Sequence, residues 1–405
     1  MYQSKWNMML HQSVINIRGQ ANKLVPIPLP KLIEGEGAIT QTAQVLTRMG
    51  GTKPLIVTDA ILVKLGITKL LTDALDAQNI SYVLFDDVTP DPTLPLIANG
   101  VQRYKQSGCD SLIALGGGSS MDCAKGIAAA AVKNVEVKKL IGLLRVRKAL
   151  PPFIAIPTTA GTGSEATIVA VISDPDKKLK LTIIDPNLVP AVAILDPLLM
   201  KGLPANITAE TGLDALTHAI ESYIGSYATK QTKAYSYDAV KRIFSYLPKA
   251  YLDGNDVEAR RQMSIASFNA GVAFTRASIG YVHAIAHQMG GYYHIPHGLA
   301  NAVILPHVLD FSFEKSLCQY AELAIAAGLS TRDDTQVEAA HKFVAGVKAL
   351  NRTLNIQTGF PQLKEQDIPT LAKRAVREAY CEYPVPKLMN RAQCEDLLKQ
   401  LLSVA

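Results

Sequence analysis

The sequence predicts an α/β half with a parallel sheet, followed by an all-helical half. From about residue 53, short β-rich runs alternate with helical runs, the pattern of a parallel sheet covered by helices on both faces. After Leu203-Pro204 the β-rich runs stop and helical periodicity takes over. We therefore predict domains at 1–203 and 204–405. Because no linker separates them, we expect a cleft at their junction of the kind that binds small molecules.

The individual elements follow from the same patterns. Buried strands are predicted at 53–58, 81–85, 111–115, 153–156 and 192–195, and a hairpin-like pair at 165–173 and 179–184. Helices of the first half are predicted at 62–78, at 94–107 and from about residue 120. Helices of the second half are predicted at 208–225, 230–246, 256–275, 281–288, 299–311, 315–327, 335–354, 368–380 and 391–403.

Composition excludes several classes of protein. Of 405 residues, 48% are hydrophobic and 19% are charged, which argues against disorder. The net charge is +6 and no dense Lys/Arg block occurs, so we expect no nucleic-acid partner. No run of about 18 apolar residues occurs, so we expect no membrane span. Five scattered cysteines without a CxxC pair argue against a disulfide framework or a thiolate zinc site, and favour the cytoplasm.

A glycine-rich loop at 116–122 follows the predicted strand at 111–115 and opens a helix. Glycines let backbone N–H groups approach a phosphate, and the helix N-terminus adds a favourable dipole. Ser119 or Ser120 is the expected N-cap of that helix. The segment matches neither GxGxxG nor GxxxxGK[ST]. A tight turn without a ligand is the alternative interpretation.

Two further polar features follow predicted strands. Asp59 ends the first one, where a carboxylate can accept hydrogen bonds from an adenosine ribose and repel a 2′-phosphate. This would favour NAD over NADP, although Asp59 could equally be the N-cap of the next helix. The loop at 157–165 combines four hydroxyl side chains with two glycines, and by itself it indicates only a polar loop.

The histidines indicate a metal site. The chain has eight, and His283, His287, His294 and His297 lie close together in the sequence. Asp214 and His218 are four residues apart, as are His283 and His287, so each pair shares one face of a helix. One carboxylate and several imidazoles without sulfur suit Fe(II) or Zn(II). The alternative is a set of hydrogen-bonded core histidines.

Four segments together resemble the iron-containing (group III) alcohol dehydrogenases. They are 116–122, 157–165, 209–221 and 283–298, and the likeness extends from about residue 25 to 375. The resemblance implies a Rossmann-like N-terminal domain and a helical C-terminal domain of the dehydroquinate synthase-like architecture, with a metal in the cleft. The first 25 residues exceed the usual start of the family and carry no recognisable function.

The resemblance also implies roles for individual residues. Four positions correspond to the metal ligands of the family: Asp214, His218, His283 and His297. His287 corresponds to a histidine that relays a proton, whereas His294 has no counterpart. Nine positions correspond to NAD(P)-binding positions: Asp59, Asp91, Gly117, Gly118, Ser119, Thr158, Thr159, Thr167 and Lys180. Asp91 replaces the usual asparagine, and Cys381-Glu382-Tyr383 replaces a common Cys-Thr-Gly segment near the substrate entrance. Phe274 and Val169 are expected near the substrate.

The implied activity is the reversible oxidation of a small alcohol to an aldehyde or ketone, with hydride transfer to NAD. The expected cofactors are NAD and Fe(II), with Zn(II) as the alternative metal. The expected partner is a small alcohol or aldehyde, and we expect a homo-oligomer, with a dimer favoured. A glycerol-dehydrogenase-like enzyme or a dehydroquinate-synthase-type lyase would share the fold. A metal-dependent hydrolase would not need the glycine loop, and a binding protein without turnover would not need an intact ligand set.

Overall fold

The computed structural model describes residues 5–174 and 179–402. The chain divides into two compact units. The α/β unit comprises Ile27–Leu203 and Asn255–Phe268. The helical unit comprises Met1–Pro26, Pro204–Gly254 and Asn269–Ala405. The functional division at residue 204 stays a prediction.

A six-stranded, fully parallel sheet forms the centre of the α/β unit, with strand order β1-β9-β6-β4-β2-β3. A separate small sheet has the strand order β5-β8-β7. Its strands β7 and β8 pair antiparallel, as expected for the predicted hairpin-like pair. The strands are β1 (Lys31–Glu34), β2 (Pro54–Val57), β3 (Val83–Phe85), β4 (Ser111–Gly116), β5 (Gly142–Leu143), β6 (Phe153–Pro157), β7 (Val169–Asp174), β8 (Leu179–Ile184) and β9 (Val192–Leu195).

Helices cover both faces of the large sheet because its central strands are apolar on both faces. Leu55 and Val57 of β2 join a core with α6, whereas Ile56 between them joins a core with α2 and α4. The helices of this unit are α2 (Thr42–Arg48), α3 (Ala60–Lys64), α4 (Ile67–Asp76), α5 (Leu94–Gln106) and α6 (Gly118–Lys133). The single helix predicted at 62–78 is wrong: Gly66, at φ +74°, separates α3 from α4.

The helical unit contains one helix that the sequence patterns did not predict, α1 (Lys5–Leu24). The remaining helices are α7 (Ala205–Ile224), α8 (Lys230–Leu252), α9 (Val257–Ala277, which runs through both residue sets), α10 (Tyr281–Tyr293), α11 (His297–Ala326), α12 (Gln336–Thr353), α13 (Ile368–Ala379) and α14 (Arg391–Lys399). The two helices predicted at 299–311 and 315–327 are one continuous helix, α11. Ser312 and Ser316 are buried on it, and their burial removes the polar break that the sequence suggested.

These elements confirm the predicted fold class, a parallel α/β half and an all-helical half. Among the helices of the described residues, none combines the length and apolar character needed to cross a membrane. The carboxyl ends of β2, β4 and β6 lie side by side at one edge of the sheet, because Val57 pairs with Ala114 and Gly116 pairs with Pro157. Ligands of open α/β sheets bind at that edge.

Candidate metal centre and dinucleotide loop

The four predicted metal ligands lie together inside the helical unit. Asp214 on α7, His283 on α10 and His297 on α11 present ligand atoms that all lie within 4.8 Å of one another. Oδ1 of Asp214 lies 3.8 Å from Nε2 of His283 and 3.6 Å from Nε2 of His297. One turn after Asp214, His218 places Nδ1 3.9 Å from the same oxygen. That these side chains bind a metal stays a prediction.

Local sequence explains how these side chains converge. Asp214 and His218 share a face of α7 because they are four residues apart. His297 is the first residue of α11, and Pro296 is its N-cap, so the imidazole stands at a helix end. Asp214 and His283 are 3% and 2% exposed, whereas His297 is 41% exposed. The cluster is therefore buried on one side and open on the side of His297.

The spacing of these atoms fits a divalent cation. A tetrahedral ion with ligands at about 2.0–2.1 Å separates its ligand atoms by about 3.4 Å, close to the distances found here. The amide nitrogen of Asn301 lies 2.6 Å from Oδ1 of Asp214 and 3.2 Å from Nε2 of both His283 and His297. The acceptor atoms thus converge on an electropositive group. Within the described residues, the buried Oδ1 of Asn301 has no hydrogen-bond partner.

Glu221 supports His283 from the side opposite the cluster. Its carboxylate accepts a hydrogen bond of 2.6 Å from Nδ1 of His283, and it also accepts the backbone N–H groups of Gly280 at 2.8 Å and Val282 at 2.7 Å. Burial raises the pKa of Glu221 to about 7. Burial and the neighbouring histidines hold the pKa of His283 well below its usual range. A neutral His283 that donates from Nδ1 leaves Nε2 available for a metal.

His287 contacts the cluster and a carboxylate. Its ring stacks on that of His297, with centroids 5.5 Å apart, and Nδ1 lies 2.7 Å from Oε1 of Glu378 on α13. Its side chain is 23% exposed. Gln288 donates to the other oxygen of Glu378 at 2.8 Å, and the hydroxyl of Tyr383 donates to Oε1 at 2.8 Å. The imidazole is therefore oriented, partly accessible, and close to the predicted ligands.

Two other residues discussed from the sequence lie nearby. Phe274 stacks on His218 with ring centroids 4.2 Å apart, so it forms an apolar wall beside the cluster. His294 is the C-cap of α10, with φ +57°, and its backbone N–H donates to the carbonyl of Gly290. A helix-ending role therefore accounts for His294.

In the α/β unit, the glycine loop joins β4 to α6. The N-cap is Gly117, so the prediction of Ser119 or Ser120 as the N-cap is wrong. A Cβ at Gly118 would lie 2.7 Å from Cγ2 of Thr162, and one at Gly117 would lie 3.4 Å from Oγ1 of Thr159. Glycine is needed at position 118 because Thr162 of the 157–165 loop approaches so closely, whereas the distance at Gly117 is an ordinary van der Waals contact. A glycine N-cap offers no side chain to the first backbone N–H groups of α6, which leaves them suited to an anion.

Several predicted cofactor contacts surround this loop. The backbone N–H of Thr158 donates to the carbonyl of Gly116 at 3.0 Å. The backbone N–H of Asp91 donates to Oγ of Ser119 at 3.3 Å, and the carboxylate of Asp91 forms an ion pair with Lys180. The structure thus brings Asp91, Ser119 and Lys180 together. Their contacts with a cofactor stay a prediction.

Asp59 stands at the end of β2, the neighbour of β4. Its Oδ1 accepts the backbone N–H groups of Ile61 and Leu62, each at 3.0 Å, so it is the N-cap of α3. Asp59 is therefore a helix cap, the alternative role considered from the sequence. Its half-buried carboxylate could still make a second contact with a ligand. Whether Asp59 contacts a ribose stays a prediction.

A buried lysine of α6 forms hydrogen bonds with the 157–165 loop and the residues that follow it. Nζ of Lys125 donates to Oγ of Ser164 at 2.9 Å, to Oγ1 of Thr167 at 2.9 Å and to the carbonyl of Val169 at 2.8 Å. Ser164 in turn donates to Asp122 at 2.8 Å. Burial lowers the pKa of Lys125 to about 8 and raises that of Asp122. The hydroxyl of Thr167, predicted to bind the cofactor, therefore also serves this internal network.

Sequence reasoning missed four residues: Glu221, Asn301, Glu378 and Lys125. Three of them carried a signal. Glu221 follows Asp214 by seven residues on the same helical face, and Asn301 follows His297 by four. Lys125 lies three residues after Asp122, in the first turns of α6. Glu378 carried no local signal, since it lies 91 residues from His287.

Comparison with known proteins agrees with this geometry. Residues 30–197 match the family model described as iron-containing alcohol dehydrogenase, and residues 208–402 match the model of the C-terminal region of that family. The NAD-dependent methanol dehydrogenase of Bacillus methanolicus is 38% identical over 375 residues, which are 92% of this chain and 98% of the relative. A crystal structure of 1,3-propanediol oxidoreductase superposes with a TM-score of 0.90 at 35% identity, over 93% of this chain and 99% of that one.

A sulfoacetaldehyde reductase from Bifidobacterium kashiwanohense, solved in complex with NAD⁺, superposes with a TM-score of 0.84 at 27% identity, over 94% of this chain and 99% of that one. Both family models and the relatives that match over most of the chain indicate the same family. The chain therefore belongs to the iron-containing alcohol dehydrogenase family and is an NAD-dependent oxidoreductase that interconverts alcohols and carbonyl compounds.

Proposed function

We propose that this protein oxidises a small primary alcohol to its aldehyde at a metal held by Asp214, His218, His283 and His297. The observation that carries the proposal is the convergence of one buried carboxylate oxygen and imidazole nitrogens on a common point. Fe(II) is the expected metal, with Zn(II) as the alternative, because the donor set is nitrogen and oxygen without sulfur. The relatives named for methanol and 1,3-propanediol support a small substrate.

When bound, the metal supplies Lewis acidity that favours loss of the alcohol proton, and NAD supplies the hydride acceptor. The protein's own residues fix the geometry for this chemistry. Glu221 holds His283 in one tautomer and orientation through Nδ1. Phe274 lies against His218 and keeps that side of the cluster apolar, which disfavours bulk water there.

His287 is proposed to carry the proton between the substrate and solvent. Histidine is the side chain whose ordinary pKa is closest to neutral pH. Its Nδ1 lies 2.7 Å from Oε1 of Glu378, which orients the ring beside the predicted ligands. Because the side chain is 23% exposed, water can receive the proton. A fifth protein ligand at this place would fill the coordination position that a substrate oxygen needs.

The glycine loop is proposed to bind the phosphates of NAD through the backbone N–H groups at the start of α6. Asp59 is proposed to select NAD over NADP, since its carboxylate at the edge of the sheet would repel a 2′-phosphate. Asp91, paired with Lys180, is proposed to place the lysine beside the same loop. Of the remaining predicted contacts, Thr158 and Thr159 belong to the 157–165 loop that packs on these glycines, whereas Thr167 follows that loop and accepts a hydrogen bond from Lys125.

Two broader properties complete the proposal. A cytoplasmic location is supported by five free cysteines, three of which are buried. A homo-oligomer, with a dimer favoured, remains part of the proposal from the family resemblance. Sedimentation of the purified protein would give its oligomeric state.

The metal assignment is tested with His218→Ala. We expect the variant to lose both bound metal and turnover while its circular dichroism spectrum stays unchanged. His307→Ala, on α11 with its Nδ1 near Gln400, is the matched control and should keep both. Full metal occupancy in His218→Ala would refute the ligand set. A panel of small alcohols with Fe(II)- and then Zn(II)-loaded enzyme, followed by NADH absorbance, would identify substrate and metal.

A further inference from the structure

Helix α1 packs through one face on other parts of the helical unit. Ile15 is 2% exposed and forms a small apolar cluster with Tyr227 and Ala277. A Cβ at Gly19 would lie 3.0 Å from two ring carbons of Tyr227, so glycine permits this close approach. The positions 11, 15, 18 and 19 share a helical face.

The same face contacts the segment 380–383, which follows α13. Nδ1 of His11 accepts the backbone N–H of Cys381 at 3.1 Å, and its ring stacks on Tyr380 with centroids 5.6 Å apart. Arg18 forms an ion pair with Glu382. Cys381 has φ +62°, an unusual conformation for a residue other than glycine, and His11 satisfies its N–H. Burial lowers the pKa of His11, which keeps it neutral and able to accept this bond.

Segment 380–383 is connected to His287 by hydrogen bonds through Glu378. Tyr383, at its end, donates through its hydroxyl to Oε1 of Glu378 at 2.8 Å. The same oxygen lies 2.7 Å from Nδ1 of His287. Burial, together with the carboxylate of Glu378, raises the pKa of Tyr383 well above its usual range, so the hydroxyl stays a donor. A shift of the segment would therefore move the acceptor that orients the imidazole.

We propose that helix α1 is a positioning element for the reaction: it holds segment 380–383 in place and, through Tyr383 and Glu378, keeps the His287 ring oriented. Residues 5–24 lie outside the residues that the family models match, which begin at residue 30. The contacts of α1 are therefore made by residues that the family models do not match. The inference rests on the proposed role of His287.

The first experiment measures the segment without any metal or turnover. His11→Leu removes the acceptor for the Cys381 N–H but keeps an apolar side chain of similar size, and His11→Gln restores an acceptor. In hydrogen exchange of the metal-free enzyme, the peptide covering 380–383 should exchange up to about tenfold faster in His11→Leu, the worth of one net hydrogen bond. Gln12→Ala, which replaces an exposed residue whose side chain donates a hydrogen bond to Asn16 of the same helix, is the control. Unchanged exchange in His11→Leu would overturn the proposal.

The second experiment measures turnover with metal and NAD saturating. His11→Leu should lower kcat by about 10- to 100-fold, the range that a small misplacement of a reacting group produces. Arg18→Ala removes an exposed ion pair and should lower kcat by less. Metal content and the Kd for NADH should not change, and His11→Gln should recover most of the rate. If kcat of His11→Leu equals that of the unmutated enzyme, the proposal is refuted.

A double-variant cycle separates this inference from the proposed function. If α1 acts through His287, adding His11→Leu to His287→Gln should cause no further loss of kcat. An equal, multiplicative loss in both backgrounds would show that α1 acts elsewhere and would overturn the inference. If His287→Gln alone does not slow the enzyme, the proposed role of His287 fails, and with it this inference, whatever the hydrogen exchange of segment 380–383.

Discussion

Glu221→Gln should weaken metal binding while leaving the four proposed ligands in place. The carboxylate accepts three hydrogen bonds: Oε2 from Gly280 and His283, and Oε1 from Val282. A glutamine amide has one oxygen, so its NH₂ group must face at least one of these donors. The variant therefore leaves a buried N–H without an acceptor, whichever way the amide is turned.

The size of the effect follows from those contacts. A buried donor that loses its partner costs about 1–3 kcal/mol. Loss of a group that orients a metal-binding histidine typically weakens metal affinity about 10- to 100-fold, which corresponds to about 1.4–2.8 kcal/mol. The cost of the unpaired donor and the expected loss of metal-binding free energy cover overlapping ranges. This is consistent, because the hydrogen bonds to Glu221 hold both the His283 ring and the backbone beside it. We expect the metal Kd to rise by about 10- to 100-fold.

The assay is competition for Zn(II) between the enzyme and a chromogenic chelator, together with thermal unfolding of the metal-free protein. Glu322→Gln is the matched control. Glu322, on α11, accepts a hydrogen bond from Tyr223 of α7, the helix that carries Glu221, and this contact does not involve a proposed ligand. That variant should bind metal as the unmutated protein does. A metal Kd for Glu221→Gln within twofold of the control would refute the argument that Glu221 supports His283.

Three further predictions concern separate sites. Asp59→Gly should narrow the preference for NAD over NADP, and equal kcat/KM with both cofactors in the unmutated enzyme would contradict the role of Asp59. His287→Gln should keep the metal and bind NAD but lose about 10²- to 10⁴-fold in rate; loss of the metal would make His287 a ligand, and an unchanged rate and pH profile would make it structural. Burial raises the pKa of Glu165 to about 7, so the folded state binds this proton more tightly than the unfolded state does. The free energy of unfolding should therefore fall as pH rises from about 4.3 to 7, by at most about 1.4 kcal/mol per pH unit. Urea unfolding at pH 5 and 7 should show a smaller fall in Glu165→Gln, and an equal fall in both proteins would contradict this.

The sequence predicted the parts of the fold that local patterns encode. Apolar runs such as 111–115 fit a strand buried on both faces, and the glycines that follow predict the loop between that strand and α6. Spacing also placed Asp214 beside His218, because a helix brings residues four apart onto one face. These features need only a few consecutive residues.

The remaining features depend on contacts between distant residues. Glu378 lies 91 positions from His287, and Cys381 lies 370 positions from His11. No periodicity within a helix reports such pairs. The break at Gly66 was missed because apolar residues keep a helical spacing across it. Helix α1 was missed because a few scattered positions, including Ile15, carry its packing.

The contact between Gly118 and Thr162 also bears on how this sequence can diverge. A Cβ at position 118 would lie 2.7 Å from the methyl carbon of Thr162, a distance that real Cβ atoms do not reach. The residues tolerated at these two positions therefore depend on each other. An alanine at 118 becomes tolerable once residue 162 is the smaller serine, alanine or glycine. Among descendants of this sequence, the order of substitution should be fixed, with 162 changing first. A lineage that acquired the larger residue at 118 first would have to pass through a protein in which Thr162 or the glycine loop is displaced.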